Sequence, residues 1–203
     1  MPLSPSFAGV ILAAGASSRM GRDKALLPWQ DGTFLSAALR ALRPVTELVV
    51  VVAGNNYPDL EPIINAEAAF MVVNRNPEEG QFSSLRLGLQ EVMNHGRDAA
   101  IITLVDRPAP GDETIAQVKS AFLASGDQVW AAVPEHGGKH GHPIAIGREM
   151  IEAFLRAPAS SNARDVEHAH QDHVLYVTVD DPLVALNVNT EEDYEKLRLG
   201  LVT

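Results

Sequence analysis

Cysteine is absent from this sequence of 203 residues. Its absence excludes a disulfide scaffold, a thiol nucleophile and a thiolate-bound zinc or iron–sulfur centre. Aromatic residues are scarce at 5%, but 46% of the residues are hydrophobic, which excludes intrinsic disorder as the main state. The length fits one domain, so we treat residues 1–203 as a single unit.

Positive charge is also in short supply. The 16 Lys and Arg residues face 26 Asp and Glu residues, which gives a formal net charge of −10. This balance argues against nucleic acid or an anionic membrane as the main partner. No apolar run approaches the ~18 residues that a membrane-spanning helix needs. The apolar stretch at 7–14 lacks a preceding Lys or Arg, unlike a signal peptide, so we interpret residues 7–13 as a buried strand and expect a cytoplasmic protein.

Short apolar runs alternate with helical patterns along the chain. The predicted strands are 8–13, 48–53, 70–73, 99–104, 129–133, 143–146, 174–179 and 183–188. The predicted helices are 33–42, 83–95, 112–124 and 147–157, followed by a last helix that a capping box at Thr190 starts and that runs to 199. This alternation predicts an α/β fold of the Rossmann-like kind, a mostly parallel sheet with helices on both faces. In such sheets ligands bind beyond the carboxyl ends of the strands.

A loop of small residues follows the first predicted strand. Residues 13–18 are all Ala, Gly or Ser, which allows backbone N–H groups to approach an anion closely. Arg19, Arg22 and Lys24 add positive charge, whereas Asp23 is the one acid in residues 1–24. The pattern therefore favours an anion-binding loop. The alternative is a tight turn packed on the sheet, with its basic side chains at the surface.

Two common glycine loops do not fit this segment. A P-loop has four residues between its glycines and then Lys-Ser or Lys-Thr. Here five residues separate Gly15 from Gly21, and Arg22 follows. The dinucleotide-binding fingerprint needs a glycine where this chain has Ser17. The spacing disfavours an ordinary P-loop ATPase or dehydrogenase.

Polar residues follow two other predicted strands. The Asn74 amide both donates and accepts, so it suits the polar edges of a base. Ser83 and Ser84 are expected to begin a helix, where N–H groups and hydroxyls suit a ribose or phosphate, although Ser84 is equally suited to be an N-cap. Asp106 is placed at the carboxyl end of a parallel strand, where it can hold Mg²⁺ against a triphosphate.

The later motifs at 137–143 and 185–194 carry further polar residues. Lys139 is suited to neutralise a phosphate. Residue 187 belongs to the last predicted strand and residue 189 follows that strand directly, so Asn187 and Asn189, which are two apart, would point the same way. One of them would offer a carbonyl oxygen to Mg²⁺. The histidines at 136, 140 and 142 could form a metal site, but no carboxylate lies at a spacing that would support it, so we interpret them as solvated side chains. The histidines at 168, 170 and 173 are interpreted in the same way.

The first of these segments resembles the signature loop of nucleotidyltransferases of the molybdenum cofactor type. The matching positions are Leu12-Ala13-Ala14-Gly15-x-Ser17-x-Arg19-Met20-Gly21-x-x-Lys24. The segments at 74–89, 104–108, 137–143 and 185–194 also match that family, so the resemblance covers most of the chain. The Ala-Ala-Gly and Leu-Leu-Pro elements follow its cytidylyltransferases, while Asp23 and the paired asparagines follow its guanylyltransferases. Arg107 departs from the usual Gln or small polar residue; it either adds a phosphate contact or points away.

The resemblance implies a nucleotide-diphospho-sugar transferase type of fold and an Mg²⁺-dependent transfer of CMP from CTP to molybdenum-bound molybdopterin, with release of pyrophosphate. It gives Arg19, Lys24 and Asp106 catalytic roles, and places His142 with Lys139 at the second substrate. A molybdoenzyme client is a further implied partner. The implied nucleotide-binding residues are Leu12, Ala13, Ala14, Gly15, Ala16, Ser17, Arg19, Lys24, Asn74, Ser83, Ser84 and Asp106.

Four alternatives stay open at this point. Two of them concern the substrates: GTP in place of CTP, and a sugar or alditol phosphate in place of molybdopterin. The other two concern the class of protein: a non-catalytic accessory protein that delivers cofactor, and an oxidoreductase related to the family. No nicotinamide or flavin fingerprint supports the last of these.

The negative charge is concentrated near the end of the sequence. Residues 165–203 contain nine acidic residues and two basic ones. The predicted phosphate loop has the opposite balance. The overall charge is therefore compatible with a metal-bound nucleotide, because Mg²⁺ needs anionic surroundings and the triphosphate would meet its own basic loop.

Overall fold

Eight strands form the central sheet of this protein. The computed structural model describes residues 5–15 and 20–201. The sheet order is β10-β7-β9-β6-β1-β4-β5, with β8 paired to β7, and β2 and β3 form a separate hairpin. The strands are β1 (Phe7–Ala13), β2 (Pro28–Trp29), β3 (Gly32–Thr33), β4 (Leu48–Ala53), β5 (Phe70–Val73), β6 (Ala99–Leu104), β7 (Ala131–His136), β8 (Lys139–His140), β9 (Ile144–Gly147) and β10 (Val174–Thr178).

Seven α-helices are present in the described part of the chain. They are α1 (Phe34–Leu42), α2 (Tyr57–Ala66), α3 (Gln81–Asn94), α4 (Asp112–Ala124), α5 (Arg148–Arg156), α6 (Ala163–Ala169) and α7 (Glu191–Arg198). Thr33 and Thr190 begin α1 and α7 with capping boxes, in which the threonine side chain and the residue three positions later satisfy each other's backbone N–H groups. None of these helices is long and apolar enough to cross a membrane.

Strand β1 is buried on both faces, as its continuous apolar sequence predicts. Phe7 and Ile11 pack in a core layer with α1 and α4, while Val10 and Leu12 pack on the other side with α3 and α5. Every residue of β1 is buried. The predicted α/β class, with a mostly parallel sheet between two helical layers, is therefore confirmed.

Two strands of the main sheet run against the others: β8, a two-residue strand antiparallel to β7, and the longer β9. The pairs of β1 with β4, β1 with β6, β4 with β5 and β7 with β10 are parallel. β9 is antiparallel to both β6 and β7. Its amino end therefore lies at the edge where the parallel strands have their carboxyl ends. This reversal brings His142, just before β9, to the same edge as Asp106, just after β6.

The strand predicted at 183–188 is wrong. A 3-10 helix covers Pro182–Ala185, begun by Asp181, whose carboxylate accepts from the N–H of Leu183 at 3.0 Å. The backbone then bonds to loops: the carbonyl of Val184 accepts from the N–H of His142 at 2.9 Å, and the N–H of Val188 donates to the carbonyl of Asp106 at 2.9 Å. The apolar pattern reflects burial of Val184 and Val188 against these loops.

Two helices lacked a sequence prediction. α2 contains Pro58 in its first turn, where proline is tolerated, and Pro62 inside it, which argues against a helix. α6 is short, but Asn162 does begin it by accepting from the N–H of Asp165 at 3.0 Å. That Asn-x-x-Asp spacing is the signal that would have found it.

Candidate active site

The carboxyl ends of four parallel strands form one edge of the sheet, and a pocket lies there. Ala13 of β1 pairs with Ala53 of β4, which pairs with Val73 of β5, so these strands end level with one another. The pocket has a volume of about 260 Å³. It is lined by Leu12, Ala14, Gly15, Lys24, Pro77, Gly80, Gln81, Ser84, Leu104, Val105 and Asp106. Of the predicted nucleotide-binding residues, Ala16, Ser17 and Arg19 lie outside the described residues.

Lys24, Asp106 and Asn189 meet at this pocket from three distant parts of the chain. The Lys24 Nζ lies 3.4 Å from Asp106 Oδ2 and 3.0 Å from Asn189 Oδ1. The lysine side chain is 12% exposed and the aspartate 30% exposed. A cation between two oxygens, open to solvent on the pocket side, can meet the charge of a phosphate.

The loop that carries Lys24 is held by a network that the sequence patterns did not reveal. Asp23 begins the short helix at Lys24–Leu26 by accepting from the N–H of Ala25 at 2.8 Å. Asn56 donates to Asp23 Oδ2 at 2.5 Å and to the carbonyl of Ala13 at 2.9 Å. The Asn56 Oδ1 atom accepts from the N–H of Gly54 at 2.9 Å. Asn56 therefore ties the ends of β1 and β4 to the lysine loop.

Gly54 allows this close approach. A Cβ atom at Gly54 would lie 2.8 Å from the carbonyl oxygen of Ala14, which real side chains do not tolerate. The glycine therefore lets the end of β4 lie directly against the small-residue loop that lines the pocket.

Asn74 organises the start of α3. Its Nδ2 group donates to both Ser83 Oγ and Ser84 Oγ at 2.9 Å, and its Oδ1 accepts from the N–H of Asn76 at 2.9 Å. Asn74 is 7% exposed and Ser84 4% exposed. The Asn74 amide therefore makes its hydrogen bonds within the protein, and one of them holds Ser84 at the pocket wall.

Helix α3 starts earlier than the sequence pattern predicts. It begins at Gln81, with Gly80 as its N-cap at φ 95°, so the N-cap alternative for Ser84 is wrong. Ser83 donates to the carbonyl of Gly80 at 2.7 Å and lines a separate shallow cleft with Arg86. Ser84 rather than Ser83 lines the pocket.

The asparagines at 187 and 189 do not point the same way, because the segment is not a strand. Asn187 is exposed, whereas Asn189 is half-buried and contacts Lys24. Within residues 5–15 and 20–201, no three His, Asp or Glu side chains gather where they would hold a metal ion. Asp106 and Asn189 are instead two oxygen donors of the hard type that Mg²⁺ prefers, and they leave most positions for phosphate oxygens and water.

A second cavity lies beside the first, beyond Arg107. Its lining comes from the loop before β9, from β10 and from α6. Arg107 lines it and is absent from the wall of the first pocket. The Nη1 group of Arg107 donates to the carbonyl of Val184 at 3.0 Å. His142 lines this cavity, while Lys139 lies exposed on β8 and is not part of its wall.

His142 is half-buried, and its Nδ1 atom is shielded from solvent. Burial, followed by the nearby Arg107 charge, lowers the pKa of His142 from 6.5 to about 3. Burial also lowers the pKa of Arg107, which the Asp106 carboxylate opposes. The backbone at Gly141 explains the burial, since a Cβ there would overlap the carbonyl of Val184.

The two histidine clusters of the sequence do not converge on a common site in the fold. His136 Nδ1 contacts the carbonyl of Val179 at 3.0 Å, and His140 contacts Glu135 at 3.1 Å and stacks on Tyr176 with ring centroids 4.0 Å apart. In the second cluster His173 stacks on Trp130, again at 4.0 Å, and His170 lies against the same ring.

Solved structures share this fold over nearly the whole chain. The protein Rv0371c of Mycobacterium tuberculosis superimposes with a TM-score of 0.82 at 27% identity, covering 96% of this chain and 98% of that one. Its structure in complex with manganese gives a TM-score of 0.77 at 24% identity over 95% and 97%. A nucleotidyl transferase from Methanothermobacter gives 0.81 at 21% identity over 96% and 97%.

Curated relatives span most of the chain as well. The molybdenum cofactor guanylyltransferase of Xanthomonas euvesicatoria is 30% identical over 203 residues, covering 97% of each chain. The molybdenum cofactor cytidylyltransferase of Escherichia coli is 26% identical over 91% of this chain and 92% of that protein. Nicotine blue oxidoreductase of Paenarthrobacter nicotinovorans is 34% identical over 77% of this chain and 76% of that protein.

The fold, the pocket beyond its strands and these likenesses define the protein as a nucleotidyltransferase. Residues 9–174 match the MobA-like NTP transferase domain, and the chain belongs to that family. The resemblance expected from the sequence motifs is thereby confirmed.

Proposed function

We propose that this protein transfers a nucleotidyl group from a nucleoside triphosphate to a phosphorylated second substrate with the help of Mg²⁺. The observation that carries the proposal is the cluster of Lys24, Asp106 and Asn189 at the wall of the first pocket. It supplies positive charge and hard oxygen ligands at the edge where α/β sheets bind nucleotides.

The proposed reaction is an in-line substitution at phosphorus. A phosphate oxygen of the second substrate forms a bond to the α-phosphorus, and the bond from that phosphorus to the bridging oxygen of the β-phosphate breaks. The electron pair leaves with pyrophosphate. Because the attacking phosphate is already ionised near neutral pH, no nucleophilic side chain is required, and catalysis rests on positioning and charge neutralisation.

Different residues of the chain would bind the triphosphate, hold the metal ion and contact the nucleotide. Backbone N–H groups of the loop at 14–17, with Arg19 and Lys24, hold the triphosphate. Asp106 and Asn189 fit Mg²⁺, because their oxygens offer it protein ligands and leave room for phosphate and water. When bound, the ion would neutralise charge that develops on the phosphates. Ser84 lies where it can contact the nucleotide, and Asn74 positions it.

We propose CTP as the nucleotide and molybdenum-bound molybdopterin as the second substrate, with GTP as the alternative nucleotide. The Ala14-containing loop supports CTP. The relatives include both a cytidylyltransferase and a guanylyltransferase, so they support either nucleotide. His142, and Lys139 at the rim, would serve the second substrate. Asp23, which follows the guanylyltransferase pattern, caps the lysine loop and contacts Asn56, so it has a structural role that is independent of the base.

A pyrophosphate-release assay with molybdopterin tests this function. CTP, GTP, ATP and UTP are compared with Mg²⁺ and with a chelator. We expect release that depends on Mg²⁺, on molybdopterin and, most strongly, on CTP. Cofactor binding without pyrophosphate release would instead identify an accessory protein that delivers cofactor. If pyrophosphate were released only with a sugar or alditol phosphate, that compound and not molybdopterin would be the second substrate.

A second candidate function is supported by the relative named nicotine blue oxidoreductase. An oxidoreductase of this kind would need to bind a reduced nicotinamide or another electron carrier. A binding titration with NADPH separates the two functions. Tight NADPH binding without nucleotidyl transfer would favour the oxidoreductase, and no binding would exclude an NADPH-dependent one.

A further inference from the structure

The second cavity combines an apolar floor with polar groups that lack partners. Val133, Ile144 and Val174 contribute apolar surface, and the cavity has a volume of about 370 Å³. Most of its lining is polar and includes Arg107 and His142, with Arg164, Glu167 and His168 from α6. A concave site that combines apolar surface with several convergent polar groups suits a small organic ligand that has polar groups of its own.

Two of these polar side chains contain buried nitrogens without hydrogen bonds. Among the described residues, neither His142 Nδ1 nor Arg107 Nε has a hydrogen-bond partner, although both atoms are buried. Buried polar atoms in folded proteins are nearly always paired. The unused capacity of these groups therefore points to a ligand that enters the cavity.

Glu167 presents a carboxylate to the same cavity. It is half-buried in α6, and none of the hydrogen bonds or ion pairs found within residues 5–15 and 20–201 involves its side chain. Burial raises the pKa of Glu167, which the charge of His140 opposes. A desolvated carboxylate without donors is stabilised by a ligand that supplies N–H groups.

The position of Arg107 orients such a ligand. Arg107 follows Asp106 directly in the chain, and it faces the second cavity while Asp106 faces the first. A phosphate at the Arg107 end would therefore lie next to the nucleotide, and the rest of the molecule would extend towards α6. Two adjacent N–H donors on a ring, as in the amino-oxo-pyrimidine edge of a pterin, match the two oxygens of a carboxylate.

We propose that the second cavity binds the heterocycle of the second substrate and that Glu167 selects for adjacent N–H donors on that ring. The inference rests on the proposed function for the identity of the reaction, but ring binding is measurable without nucleotide. Glu167 then determines specificity by a direct contact, and Arg107 holds the phosphate end.

Fluorescence titrations with two ring probes test this proposal. Pterin has a 2-amino group beside a ring N–H, and lumazine has the same fused rings with an oxo group in place of the amino group. We expect the full-length protein to bind pterin at least ~10-fold more tightly than lumazine, because lumazine would leave the carboxylate without one donor. In Glu167→Gln the preference should fall below ~3-fold. Glu61→Gln, on the exposed surface of α2, should keep it.

Each outcome decides the proposal. Equal binding of the two probes by the unmodified protein, no binding of either at millimolar concentration, or an unchanged preference in Glu167→Gln would overturn it. An unchanged preference in Glu167→Gln is also what we would expect if pterin occupied the nucleotide pocket. If the pyrophosphate assay fails while the Glu167-dependent preference persists, the ring site stands and only the reaction assigned to it is lost.

Discussion

At the scale of single residues, the chemistry depends on a lysine held between two oxygens. Lys24, Asp106 and Asn189 come from positions far apart in the sequence, yet the Lys24 Nζ group lies within 3.4 Å of both partners. Lys24 and Asp106 could be predicted because each follows a recognisable motif at a strand end. Asn56 and Arg107 could not be assigned from the sequence, because their roles arise from loops that meet only in the folded chain.

Replacing Lys24 by Met should reduce the rate of transfer by about 10²–10³ while the fold is kept. The substitution removes a charge that would neutralise phosphate and keeps an apolar stem of similar length. The measurements are pyrophosphate release and thermal unfolding. Lys196→Met is the matched control, since Lys196 is exposed on α7 and pairs with Glu192. Similar rates for the two variants would show that Lys24 has no part in the reaction.

His142 should make the protein less stable as the pH falls. Its pKa is about 3 in the folded protein against an ordinary 6.5, so the unfolded chain binds the proton more readily. The stability that this difference contributes is present above pH 6.5 and is lost as the pH falls from there towards 3, by at most about 1.4 kcal/mol per pH unit.

Urea unfolding of the unmodified protein and of His142→Gln, between pH 7 and pH 4.5, measures this contribution. The free energy of unfolding should decrease more steeply with falling pH in the unmodified protein than in the variant. Parallel curves would show that His142 titrates normally in the folded state.

At the scale of elements, α3 is placed by a glycine that lets it lie close to the sheet. A Cβ at Gly88 would lie 2.8 Å from Val10 Cγ1 and 2.9 Å from Val52 Cγ2. Because Ser84 belongs to the same helix, the depth of α3 also sets the position of the pocket wall.

Gly88→Ala should destabilise the protein by about 1–3 kcal/mol, although alanine favours a helix more than glycine does. The extra methyl group would force α3 away from β1 and β4. Denaturant unfolding measures the change, with Gln90→Ala on the exposed face of α3 as the control, for which we expect almost no loss. Stabilisation by Gly88→Ala would contradict the close packing.

The elements also show where sequence patterns stop being informative. The runs at 48–53, 70–73 and 99–104 are strands with the predicted bounds. Short, continuous apolar runs rich in β-branched residues suit the buried strands β4 and β6, and they also suit β5, which is a more exposed edge strand. The run at 183–188 has a similar pattern, but Asp181 and Pro182 start a 3-10 helix and its backbone bonds to loops. Those loop partners are distant in sequence and could not be identified from the segment itself.

At the scale of the whole molecule, the reversed strand β9 places two cavities side by side at one edge of the sheet. The acidic end of the chain returns to that edge: Glu191 of α7 pairs with Arg22 at 2.5 Å, and Arg22 lies over the Tyr194 ring. The acidic and basic segments are thus neighbours in the fold. Arg22, which the sequence places in the basic loop, is paired with Glu191.

The rate of pyrophosphate release by Asp106→Asn with CTP, molybdopterin and Mg²⁺ tests the proposed mechanism most directly. The variant keeps the shape of the side chain and removes the charge that would hold the metal ion. We expect its rate to fall by about 10²–10³ relative to the unmodified protein, while Asp112→Asn, at the exposed start of α4, stays near normal. Turnover by Asp106→Asn within a few-fold of the unmodified protein would contradict the central role given to Asp106.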